Sequence, residues 1–380
     1  MADFEILENP FTPTFGEIPL HLAGRGTLLN ELKRAYSGKK RHPSLTMAIT
    51  GARGTGKTAL LAAAADEAEA AGWIAARATA LPGMLDDILI STQREGSHLI
   101  DSPSAHLSSI EIGGAFSASW ENPHRPTNWR NEITHLLNQL RDSETGLLFV
   151  IDEVQPQLPE MIQLAAVYQL LVTEGHKVAL LMAGLPNNIL SLEKDKQVSF
   201  LRRSQKRRLA RISNVEVEQA IRRTIEENGR SVSDEALQKM TKAANGFPFM
   251  IQLVGFHVWE ASSSQEIDLQ AACSGIKIAE SELLENIVKV TYSELSKGDR
   301  AYLEAMLQLD IPHNSDIATK LGKTNSYALQ YKNRLMSQGV IEEDFDGALS
   351  FQMPLMETFL KELSGQKRKY MARINTHRER

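Results

Sequence analysis

The densest chemistry in the chain lies in Gly51-Ala52-Arg53-Gly54-Thr55-Gly56-Lys57-Thr58. The spacing is Gly, four residues, then Gly-Lys-Thr, the phosphate-loop or Walker A pattern. A phosphate must come close to the backbone, and the absence of Cβ at Gly51, Gly54 and Gly56 permits it. The loop N–H groups then form an anion nest at the positive end of the helix that Ala59 continues. Lys57 is the mobile charge for the β- and γ-phosphates, and Thr58 is a hydroxyl ligand for Mg²⁺.

A second group follows in Gly146-Leu147-Leu148-Phe149-Val150-Ile151-Asp152-Glu153. An apolar run ending in two carboxylates has the Walker B form. In a parallel sheet, ligands gather at the carboxyl ends of strands, where Asp152 and Glu153 would emerge. Asp152 would orient Mg²⁺ through water. Glu153 would act as general base on the attacking water. Strand alternation would point the two carboxylates in different directions.

The elements that must carry these groups are legible around them. Leu45–Ile49 leads into the glycine loop as a buried strand, and alanine-rich Ala59–Ala71 leads out as a strong helix former. Trp73–Ala80 and Lys177–Ala183 read as further strands. Met84–Arg94, Trp129–Leu140 and Met161–Gly175 read as helices. Between them, Ser102–Trp120 is rich in Ser and Gly with a short strand signal at Ile110–Ile112, and has no assigned chemistry. Asn122–Pro126 reads as a loop. Asn9-Pro10-Phe11-Thr12-Pro13-Thr14-Phe15-Gly16 reads as an extended, proline-pinned lead-in. Ser213–Asn228, Ser233–Ala244, a helix opened by Pro248, and Asp268–Val288 form a helical stretch, with Ser213 as a cap.

The bulk numbers bound the rest. A chain of 380 residues points to two or three domains. With 42% hydrophobic and 23% charged residues the composition is that of a soluble globular protein. The net charge of -5 gives no global pull toward nucleic acid or membrane, so a nucleic-acid role needs a local basic surface. The lone Cys273 cannot close an internal disulfide and fits a reducing, cytoplasmic location; it reads as a packed small side chain. Met1–Pro10 lacks a signal-length apolar core, and the longest apolar runs are strand-sized, so no membrane association is expected.

Taken together, residues 20 to about 290 resemble an AAA+/STAND-type P-loop ATPase. The resemblance implies an α/β P-loop NTPase fold, a parallel sheet with helices on both faces, followed by an α-helical lid. It implies ATP and Mg²⁺ as ligands and ATP hydrolysis as the activity. It places the Gly24-Arg25 element against the adenine base, with a simple helix start as the alternative. Gly246-Phe247-Pro248 is similar to the Gly-x-Pro element of STAND lids, which makes Pro248 a nucleotide-side residue. Origin-recognition initiators carry a sensor arginine there, and this chain does not. The class also often ends its fourth strand with a polar γ-phosphate sensor. Here the strand ends in Ala183-Gly184, and the Pro-Asn-Asn that follows reads first as a plain turn, with Asn187 or Asn188 as a substitute sensor being the alternative. These departures leave the hydrolysis rate open. The basic run from Phe200 to Ile212 reads as an arginine finger at Arg202 or Arg203, taken to follow the sheet directly; a solvated helix face or lid hinge is the alternative.

Residues Glu294–Glu362 resemble the winged helix that follows the lid in archaeal initiator-type ATPases. The expected division is therefore a core over 1–205, a lid over 206–290, a winged helix over 291–362 and a basic tail over 363–380. Thr324–Gln338 is the candidate recognition helix, with Ser326, Gln330 and Asn333 facing away from its buried side and Tyr327 and Arg334 beside them. Such side chains suit double-stranded DNA. The wing carries Glu342, Glu343, Asp344 and Asp346, which repel phosphates. The tail offers Lys367, Arg368, Lys369, Arg373, Arg378 and Arg380 in compensation. Two outputs stay open: an ATP switch reporting to DNA, or a STAND-like regulator whose winged helix packs on the ATPase core or on a protein partner; a homo-oligomer is a further possible assembly.

Overall fold

The computed structural model describes residues 7–14, 18–51, 54–99, 126–344 and 346–365, with the side chains of 126–128 excepted. The expectations for Ala52, Arg53, Ser102–Trp120, Asn122–Arg125 and the basic tail lie outside these residues. Cα packing divides the chain into two compact units, one formed by residues 25–51 and 57–209, the other by residues 1–24, 52–56 and 210–380.

The first unit runs α1 (Gly26–Ser37), β1 (Thr46–Thr50), α2 (Lys57–Ala70), β2 (Ile74–Thr79), α3 (Met84–Glu95), α4 (Pro126–Arg141), β3 (Leu147–Asp152), α5 (Pro159–Thr173), β4 (Val178–Gly184), α6 (Pro186–Lys194) and β5 (Gln205–Arg208). The strands form one five-stranded sheet in the order β2-β3-β4-β1-β5, and every pairing is parallel. Alternation along the strands explains why both faces must be covered. Leu147, Phe149 and Ile151 enter one core with residues of α3, α4 and α5, whereas Leu148 and Val150 enter the other with residues of α1 and α2.

β5 was not expected. Its residues, Gln-Lys-Arg-Arg, alternate between half-buried and exposed, and it pairs only with β1. A short charged edge strand protects a sheet from further pairing, and it carries no hydrophobic signature. The 3₁₀ turn Ser199–Arg203 precedes it, so Arg202 and Arg203 come before the last strand rather than after the sheet. Nor does Pro186 make a plain turn: it stands at the first turn of α6.

In the second unit, the helices α7 (Asn214–Glu227), α8 (Asp234–Ala244), α9 (Pro248–Glu260) and α10 (Leu269–Leu283) pack with a two-residue parallel pair, β6 (Ser231–Val232) and β7 (Glu266–Ile267). Ser213 and Glu216 close a reciprocal capping box on α7. A π-turn at Leu284–Val288 leads to α11 (Lys289–Glu294). Then come α12 (Lys297–Met306), α13 (Asn314–Lys320), α14 (Asn325–Ser337) and an antiparallel hairpin, β8 (Ile341–Glu343) with β9 (Leu349–Phe351). These three helices and the hairpin form the C-terminal module. One continuous apolar cluster runs from Ile221 and Val254 through Tyr302 and Leu335 to Leu349, so this module shares its core with the helices before it. Cys273 is exposed on α10, not packed.

Candidate nucleotide site

The two Walker segments meet in the first unit. β1 and β3 flank β4 in the sheet, so their carboxyl ends open on the same edge. The Thr58 hydroxyl donates to Asp152 Oδ2 at 2.5 Å. A hydroxyl and a carboxylate converging on one point are hard oxygen donors of the kind Mg²⁺ takes. Lys57 Nζ donates to the Gly51 carbonyl at 3.0 Å, which folds its stem back over the loop. The other carboxylate oxygen, Asp152 Oδ1, accepts from the Glu153 N–H at 2.8 Å.

β3 ends at Asp152, and Glu153 lies beyond it in the left-handed region, with φ of 52°. A sharp turn, not strand alternation, therefore separates the two carboxylates. A non-glycine residue held there costs about 1 kcal/mol or more. Neighbouring contacts over-determine the turn. Val154 N donates to the Ala183 carbonyl at 2.9 Å, and Asn188 Nδ2 donates to the Val154 carbonyl at 2.9 Å. A Cβ at Gly184 would stand 3.2 Å from Val154 Cβ, so the glycine that ends β4 makes room for this turn. Asn188 is thus engaged with the backbone beside Glu153. Glu153 itself is exposed.

The other predicted residues divide as follows. Arg25 is buried at the start of α1. Arg202 Nε donates to the Glu193 carbonyl at 2.9 Å, and Arg203 is exposed beside it. Much of the remaining basic run is spent in ion pairs. Lys206 meets Glu193 at 2.8 Å, and Arg207 forks onto Glu31 at 2.8 and 3.0 Å. Burial opposes ionisation of Glu31, but hydrogen bonds from Ser44 and Arg207 outweigh it and hold its carboxyl below the ordinary range.

In the second unit, Gly54 and Gly56 have φ of 76° and 79°, conformations that glycine adopts without penalty. A Cβ at Gly56 would lie 3.5 Å from the Pro248 ring. A Cβ at Gly24 would lie 3.1 Å from Ile212 Cγ2. Gly56 thus approaches Pro248, and Gly24 approaches the residue that precedes the Ser213 cap. The extended lead-in finds its partner in the same unit. Phe11 occupies the space a side chain at Gly255 would fill, and Thr12 N donates to the Gln252 side chain at 3.1 Å. Asn9 Nδ2 donates to the Phe256 carbonyl at 3.1 Å. Residues 9–12 of the lead-in thus form a strap along α9, the helix that Pro248 begins.

Residues 21–182 match the family of AAA ATPase domains. This span takes in both Walker segments and the strands that carry them. Residues 285–360 match a second family described only as a domain of unknown function, DUF8462. No curated protein matches the sequence. Among solved structures the chain is similar to the Aeropyrum pernix ORC2 protein in its ADPNP–ADP complexes, with a TM-score of 0.63 at 16% identity over 95% of this chain and 98% of that one. It is also similar to a Walker-type ATPase of Pyrococcus abyssi, with a TM-score of 0.62 at 13% identity over 90% and 96%. At such identities the likeness concerns the fold.

The C-terminal module corrects one expectation. Arg334 does not stand free beside the recognition face. Its Nε and Nη2 reach Asp299 Oδ1 at 2.8 and 2.6 Å, and Nη2 also reaches Ser296 Oγ at 3.0 Å. The Asp299 side chain is 2% exposed, so this pair neutralises a buried charge. Lys332, on the buried side, pairs with Glu343 of β8. Asp344 Oδ1 accepts from the N–H groups of Asp346 and Ala348 and shapes the hairpin turn. The exposed face of α14 presents Ser326, Tyr327, Gln330 and Asn333. No helix among the described residues is long and apolar enough to cross a membrane.

Proposed function

We propose that the protein is an ATP-driven switch in which Lys57, Thr58, Asp152 and Glu153 carry the chemistry and the helix-and-hairpin module carries the output. The observation that supports this most is the 2.5 Å contact between Thr58 and Asp152, which joins the two Walker segments at one point. Thr58 and Asp152 would hold Mg²⁺, which when bound neutralises charge on the β- and γ-phosphate oxygens. Lys57 would exchange its Gly51 carbonyl for phosphate oxygen. Glu153 would accept the proton of the attacking water as oxygen bonds to the γ-phosphorus and the bond to the ADP oxygen breaks. Pro248, opposite Gly56, would face the nucleotide, and Gly24 with Arg25 would lie against its adenine base. Arg202 and Arg203 would serve a neighbouring copy. ATP and Mg²⁺ should stabilise the parent thermally, and Lys57→Ala should remove that stabilisation; equal stabilisation of both proteins contradicts the assignment.

Double-stranded DNA is one output, through Tyr327, Gln330 and Asn333 on α14 together with the basic tail. A protein partner is the second reading. The pairing of Arg334 with Asp299 and of Lys332 with Glu343 favours it, because both cations of α14 are already neutralised.

A further inference from the structure

Gly246-Phe247-Pro248 faces two ways, and the second way leads to the hairpin. Pro248 lies against Gly56 of the phosphate loop. Phe247, buried next to it, carries the Arg211 guanidinium on its ring, 4.7 Å from the centroid. Arg211 Nη2 then donates to the Phe351 carbonyl of β9 at 2.8 Å, and its Nε lies 3.8 Å from Glu342 of β8. Gly246 fixes the geometry. Any Cβ there would stand 2.5 Å from the Ile212 carbonyl and 3.0 Å from Arg211 Cβ. The Ile212 N–H also donates to the Gly246 carbonyl at 2.9 Å. The segment that begins at Arg211 is therefore bolted to the Gly-Phe-Pro element on one side and to both strands of the hairpin on the other.

We infer that Arg211 is a latch that transmits the position of Pro248 at the phosphate loop to the β8–β9 hairpin. Three contacts of different kinds converge on one guanidinium: a ring beneath it, a carbonyl on β9 and a carboxylate on β8. Arginine is suited to this, because its planar fork can stack and donate at once. A displacement of Pro248 moves Phe247, its covalent neighbour, and the ring carries the guanidinium with it. The acidic wing gains a purpose here: Glu342 is a partner for Arg211 rather than an obstacle to phosphate.

This inference rests on nucleotide binding at the Walker site, and the test separates the two. Hydrogen exchange is followed on the full chain, with and without ATP and Mg²⁺, in peptides covering residues 51–60 and residues 340–352. In the parent both regions should gain protection. In Arg211→Gln the response at 51–60 should persist, while the response at 340–352 should fall by about tenfold, the worth of a charge-assisted hydrogen bond. Absence of any response at 51–60 in the parent overturns nucleotide binding itself. A response at 51–60 with none at 340–352 in the parent overturns the latch. An undiminished hairpin response in Arg211→Gln also overturns it. If Arg211→Gln lacks a cooperative thermal transition, Arg211→Lys and Phe247→Leu take its place. The first keeps the charge but loses the fork, and the second keeps the apolar volume but loses the ring. Both should reduce the hairpin response, and full retention in both counts against the latch.

Discussion

At the scale of single residues, the reactive groups depend on neighbours with no chemistry of their own. Glu153 sits in a left-handed conformation because Asp152, Ala183 and Asn188 together hold the turn. Asn188 is a positioning residue in this account. Asn188→Ala should lower kcat about five- to tenfold, the effect of one buried hydrogen bond on a placed group, and leave KM for ATP nearly unchanged. A matching rise in KM without a fall in kcat would assign Asn188 to binding instead. The Walker residues were legible because glycine spacing and paired carboxylates are local patterns. The roles of Asn188 and Arg334 were not. Each is set by a partner brought near only by folding, Val154 at 34 positions away and Asp299 at 35.

Among elements, those with a strong apolar period were readable and those without one were not. β3 and β4 are continuous apolar runs and fall where the sequence placed them. β5 is a charged edge strand whose hydrogen bonds to β1 define it, so nothing in its composition marks it. The strap at residues 9–12 was visible as an extended segment, but its target lies across the sequence: Asn9 and Phe256 are 247 positions apart. Phe11 is 2% exposed and fills the notch at Gly255. Phe11→Ala should therefore cost about 3 kcal/mol, read as a lower urea midpoint for the transition that reports on the helices of the second unit. An unchanged midpoint would mean that the strap rests on α9 without contributing to it.

For the whole molecule, the question is which output the ATP site drives. If duplex DNA is the partner, fluorescence anisotropy with random duplex should show binding that weakens with salt, by roughly 0.9 log units per log unit of salt for each phosphate neutralised. Deleting residues 366–380 should flatten that slope. Salt-insensitive or absent binding in every nucleotide state favours the protein partner. Arg334 is unsuited to this test, because reversing its charge would strand the buried Asp299 and unfold the module. Turnover at the Walker site is the activity proposed, and single-turnover hydrolysis of bound ATP addresses it directly. With Mg²⁺ present, Glu153→Gln should retain ATP as tightly as the parent while hydrolysis slows by about 10²-fold or more, since the amide keeps the shape and cannot accept the proton of water. Hydrolysis at the parental rate in Glu153→Gln would contradict the account.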